Sequence, residues 1–138
     1  MSTTDVLLGP TPESPRAREL WLQHAAGFIL FEDVRGHALA QIDPALDPVA
    51  RAAAMKAIDD AMYGLMMVID GVSGRLGDRE RRVRVDATVT LEEHDRDIET
   101  PRLAEGDGVC MGFHGWREGW FGDDLVAIVR TPDAARGG

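Results

Sequence analysis

The chain holds one cysteine, Cys110, in 138 residues. A single thiol closes no internal disulfide, and without a second cysteine there is no zinc-knuckle spacing. Long apolar runs are missing too: the most hydrophobic windows, Ala25 to Phe31 and Ala61 to Ile69, fall well short of the ~20 residues that a spanning helix needs. The first residues show no basic, apolar, cleavable leader, so the expected compartment is the cytoplasm. Positive charge is scarce. Fifteen Lys and Arg stand against 24 Asp and Glu, a net charge of −9, which repels nucleic acid and anionic membranes and removes both from the expected partners. There is no internal repeat, which excludes a solenoid.

What is present is ordinary globular composition, 44% hydrophobic and 28% charged, in a length that fits one domain with a proper core. The stretch Asp47 to Gly71 organises the rest. Asp47 can cap the first free amides, Pro48 suits the first helical position, and Gly71 suits the left-handed residue after the last turn. Met55, Ile58, Met62, Leu65 and Ile69 recur at helical spacing between these marks, with Ala54, Ala61 and Val68 widening the face expected in the core. Asp59, Asp60 and Asp70 read as its wet side and terminus, with Asp70 placed to bond local amides.

Residues 1–13 carry no periodic pattern and are expected as a mobile arm. Ser14-Pro15 repeats the cap-then-proline start, and Leu20, Trp21, Ala25, Phe28 and Phe31 predict a first helix to about Val34. Gly27 followed by Phe28 to Phe31 also fits an earlier stop and a short buried strand, since periodicity does not separate the two in a short apolar run. Arg35 to Leu46 is then a partly helical connection. After Gly71 the glycines of GVSGRLG turn the chain extended; with no Lys-Ser or Lys-Thr behind them they make no phosphate loop. Val83, Val85, Ala87, Val89 and Leu91 alternate with Arg84, Asp86, Thr88 and Thr90, the pattern of a half-buried strand. His94 to Asp107 reads as a loop with a short strand around Ile98; its His94-Asp95-Arg96-Asp97 lacks the marks of a calcium loop. Val109 to Phe113 and Leu125 to Arg130 are the remaining strand candidates. The fold class expected is α+β, two main helices on one face of a small, mainly antiparallel sheet, over residues 14–130, with a frayed tail at 131–138. Arg75, Arg79, Arg81, Arg82 and Arg84 precede an acidic block, Glu92, Glu93, Asp95, Asp97 and Glu99, and the two are expected to neutralise each other across strands.

The candidate site is Gly106 to Asp124, where six glycines alternate with aromatic and polar side chains. Rings around a few polar groups suit a recognition surface, and equally a lid that seals the core. Phe113, His114, Trp116, Glu118, Trp120, Phe121, Asp123 and Asp124 are the candidate binding residues: Trp116, Trp120 and Phe121 as apolar anchors, the three carboxylates as complement to a basic protein partner. A second copy of the chain is also among the expected partners. Cys110 and His114, spaced CxxxH, are the alternative, a small enzyme or metal site. That reading lacks a third orienting group and further ligands, so no catalytic residue, metal or cofactor is assigned.

The stretch YGLMMVIDGVSG at Tyr63 to Gly74, followed by an alternating strand and an aromatic-rich end, resembles small uncharacterised bacterial domains, some of them similar to immunity proteins of toxin systems. The resemblance implies a small α+β binding protein and carries over no functional residue.

Overall fold

Ser14 and Asp47 start the two long helices in the same way. In the computed structural model, which describes residues 2–122 and 125–128, the Ser14 hydroxyl accepts the Ala17 amide at 3.1 Å and the Asp47 carboxylate accepts that of Ala50 at 2.8 Å. Each cap is followed by proline at the first turn, so helices α1 (Pro15–Ile29) and α3 (Pro48–Ile69) begin where the caps predict. Gly71, at φ +77°, ends α3: its amide bonds the Val68 carbonyl at 3.1 Å and the Val72 amide bonds that of Met67 at 3.0 Å, a left-handed cap that satisfies the last carbonyls.

The first helix passes straight through Gly27. It widens into a π-helical stretch at Leu30–Arg35 and continues as α2 (Gly36–Ala40), so the helical run overshoots the expected end at Val34 and the strand alternative at Phe28 to Phe31 is absent. The cause is tertiary. A Cβ at Gly27 would lie 2.4 Å from Cζ2 of Trp116, so the missing side chain is what lets a third helix, α4 (Val109–Arg117), close on α1.

The buried stripe of α3 is rotated from the expected one. Asp59, Met62, Met66 and Ile69 are buried and Met66 fully so, whereas Met55 and Leu65 are 36% and 41% exposed. Asp59, read as wet side, is taken inward by two arginines. Arg35 Nε donates to its carboxylate at 2.5 Å, and Arg117 stands 3.5 Å away. Arg35 lies over the Phe31 ring and Arg117 over that of Phe113, so one carboxylate ties the π turn, α3 and α4 together with its charge compensated.

The class is α+β with antiparallel pairing throughout, and the strands form three two-stranded ladders among the described residues. β1 (Leu7–Leu8) pairs with β6 (Val126–Ile128), β2 (Arg75–Gly77) with β3 (Arg82–Arg84), and β4 (Leu91–Glu93) with β5 (Arg96–Glu99). β5 is the short strand expected around Ile98, joined to β4 through His94 and Asp95, both at positive φ, as a two-residue hairpin turn requires. The single strand expected over Val83 to Leu91 is interrupted. Val83 and Val85 are 67% and 64% exposed, and Ala87, Val89 and Leu91 alone turn inward, with one bridge between Thr88 and Arg102. Val109 to Phe113, expected as a strand, is helical. Residues 3–8 lie on the body, where Thr3 donates its amide to Asp33 at 3.0 Å and its hydroxyl to the same carboxylate. The tail 131–138, Val129 and Arg130 at the end of the last expected strand, and the site candidates Asp123 and Asp124 lie outside the described residues.

Two apolar clusters fill the interior. The larger joins Phe31, Met62, Met66, Val109, Phe113 and Trp116 where α1, α3 and α4 meet; the smaller joins Trp21, Leu22, Leu91 and Leu125. No helix among the described residues is long and apolar enough to cross a membrane.

Candidate functional site

The segment expected as a glycine-aromatic loop is built around α4. Val109, Phe113 and Trp116, at positions i, i+4 and i+7, give it one buried face, which is helical spacing. Its start needs outside help, because Gly108, at φ +97°, has no side chain to cap the free amides. Asp70, in the cap position after α3, supplies the cap: its two carboxylate oxygens accept the amides of Val109 and Cys110 at 2.7 and 2.8 Å. Negative charge at a helix N-terminus is favourable, and the end of one helix fixes the beginning of another. The sequence placed Asp70 against local amides; it bonds amides 39 and 40 residues away.

α4 ends in a second left-handed cap. Gly119, at φ +90°, bonds its amide to the Trp116 carbonyl at 2.9 Å, and the Trp120 amide reaches that of Gly115 at 2.9 Å. Trp120 therefore occupies the position whose side chain folds back on the last turn, with Cε3 3.4 Å from where a Gly115 Cβ would sit. Behind it stands His24, on α1 and 7% exposed. The His24 and Trp120 rings meet edge to face at 5.0 Å, and the Trp116 Nε1–H donates to His24 Nδ1 at 3.0 Å. That bond requires Nδ1 unprotonated, and burial pushes the imidazole below its ordinary 6.5. Phe121 turns back into the body, stacked parallel to Trp116 and edge-on to Phe28. Leu20, Trp21, His24, Trp120 and Phe121 line a cleft of about 250 Å³ that also includes Gly122. Among the described residues the buried Trp21 Nε1 finds no acceptor.

The expected binding residues thus divide. Phe113 and Trp116, each 3% exposed, are core side chains, and Phe121 is half-buried over them. His114, Glu118 and Trp120 are on the surface, Trp120 at 56% exposure. Trp116 as an interface anchor is corrected: its indole is enclosed by Gly27, Gly112 and His24 and presents nothing to a partner. His24, which lies outside the expected binding residues, contacts both Trp116 and Trp120. Its signal was its place three residues after Trp21 and four before Phe28 on an apolar face.

Cys110 lies one turn from His114 on α4, half-buried against the core. Burial, then the neighbouring Asp70 carboxylate, pushes its thiol up to about 12, leaving negligible thiolate for nucleophilic attack at neutral pH. The exposed His114 ring packs toward Tyr63 at 6.2 Å. Among the described residues no three His, Cys, Asp or Glu side chains gather as a metal site. No protein-family model, curated protein or solved structure matches the chain.

Proposed function

We infer that this chain is a small protein-binding module that meets its partner at the end of α4, with Trp120 as apolar anchor and Glu118 beside it. One observation carries the reading: Trp120 is 56% exposed while Trp21 and Trp116 are 5% and 3% exposed. A tryptophan fixed by its backbone cap and backed by a buried histidine loses little freedom on binding, and tryptophan is among the residues enriched at interface hot spots. Exposed Glu118, in a chain of net charge −9, favours a partner with a basic surface. The immunity-like resemblance of Tyr63 to Gly74 points to the same class of activity. Trp120→Ala should keep a near-native melting temperature and weaken partner capture by more than about 1 kcal/mol, and added salt should slow the capture. Sedimentation tests whether the partner is a second copy. A Trp120→Ala variant that binds as tightly as the parent chain overturns the reading.

A further inference from the structure

The β2–β3 ribbon carries a second feature, unrelated to Trp120. Its register sets Arg75 directly opposite Arg84 and Gly77 opposite Arg82, so strand alternation puts three guanidinium groups on one face. Like charges directly opposed across strands are destabilising unless something lies between them. The arginine block was expected to be neutralised by the acidic block that follows it. Instead Glu99 pairs with Arg18, and no ion pair among the described residues joins Arg75, Arg79, Arg81, Arg82 or Arg84 to Glu92, Glu93, Asp95, Asp97 or Glu99.

This face borders a pocket of about 310 Å³, closed on its other sides by the end of α3 with Ser73 and by the turn at Arg102 to Glu105. Its charges are unevenly committed. Arg102 is held by Asp86 and Glu105, each at 2.6 Å. Arg84 reaches Asp86 only at 3.9 Å, and the side chains of Arg75 and Arg82 have no hydrogen bond or ion pair among the described residues. Of the two carboxylates on the wall, Glu105 serves Arg102, and both oxygens of Asp70 are spent on the amides of α4. The pocket is a local excess of forked donors in an acidic chain.

We propose that this pocket binds a compact, multiply charged phosphate group, the pyrophosphate or triphosphate of a small molecule, between Arg75, Arg82 and Arg84. Guanidinium forks match phosphate oxygens in bidentate fashion. A bound oligophosphate would cancel the repulsion between Arg75 and Arg84. The volume suits a small ligand, and net charge −9 with Asp70 and Glu105 on the rim disfavours an extended polyanion such as nucleic acid.

Isothermal titration with sodium pyrophosphate and with ATP, against sodium chloride at matched ionic strength, tests the proposal. Saturable one-to-one binding is expected, at least tenfold weaker in Arg75→Ala/Arg82→Ala and unchanged in Arg79→Ala, which removes an arginine outside the pocket. Equal binding of the two ligands assigns the site to the phosphates alone; ATP binding tighter than that of sodium tripolyphosphate extends it to the nucleoside. The ribbon face is exposed, so the unliganded double variant should melt no lower than the parent chain, and pyrophosphate should raise the melting temperature of the parent chain alone. The proposal is overturned by no heat beyond the salt control, by full binding in the double variant, or by an oligonucleotide that outcompetes both ligands.

Discussion

Replacing Gly27 with alanine should destabilise this protein, although the same change normally favours a helix. In an unobstructed helix interior, Gly→Ala gains about 0.5–1 kcal/mol from reduced chain entropy and better helix propensity. At Gly27 the new methyl would stand 2.4–2.5 Å from three atoms of the Trp116 ring, far inside van der Waals contact. The ring has no easy retreat. A Cβ at Gly112 would approach the same ring edge at 2.5 Å, and its Nε1–H is engaged by His24. Overpacking of this kind costs about 1–3 kcal/mol or more, which exceeds the propensity gain. Gly64, in the middle of α3, is the control, because nothing lies within 4 Å of its Cβ direction. Denaturant melts followed by circular dichroism should show Gly64→Ala stabilised by about 0.5–1 kcal/mol and Gly27→Ala destabilised by about 1–2 kcal/mol, the overpacking cost less the propensity gain. In a Trp116→Phe background the penalty at Gly27 should shrink by about 1 kcal/mol or more, a coupling expected only of residues in contact. Equal gains from both alanines would refute the α1–α4 packing.

Two further outcomes follow from the core and from charge. Met66→Ala should cost about 2–5 kcal/mol in a urea melt and Leu65→Ala under about 1 kcal/mol, since Met66 is fully enclosed and Leu65 is 41% exposed; the reverse ranking would mean that α3 is rotated. Burial holds His24 below 6.5, so the unfolded chain takes up a proton that the folded chain refuses. This contribution to stability is complete above about pH 6.5 and is lost as pH falls from there toward the lower folded value. Stability measured at intervals from about pH 7.5 to 5 should show the loss in the parent chain and a flatter profile in His24→Gln; parallel profiles would remove His24 from the account.

How far the sequence could be read depends on where the deciding contact lies. Both long helices start where local residues say, because Ser14-Pro15 and Asp47-Pro48 satisfy their own amides. The phase of α3 was not readable in the same way. Leu65 to Ile69 is unbroken apolar sequence, so which side faces in is decided by Arg35 and Arg117 drawing Asp59 inward from elements 24 and 58 residues away. α4 was hidden by its glycines and by a cap that comes from Asp70. The spacing of Val109, Phe113 and Trp116 was visible, yet six glycines over Gly106 to Asp124 outweigh it in any local reading. The alternation from Val83 to Leu91 was real, but nothing local marks where the ribbon separates from the core. Within the candidate site the aromatic residues were found and their directions were not, since the bond that sorts them, Trp116 to His24, spans 92 residues.

The claim on which the functional reading stands is that Trp120 is outward and the other two tryptophans are core. Acrylamide quenching of the intrinsic fluorescence measures this directly. Burial excludes a small neutral quencher from Trp21 and Trp116, so the parent chain should show one readily quenched component, absent in Trp120→Phe and retained in Trp116→Phe. A readily quenched component that survives Trp120→Phe and vanishes with Trp116→Phe would contradict the account.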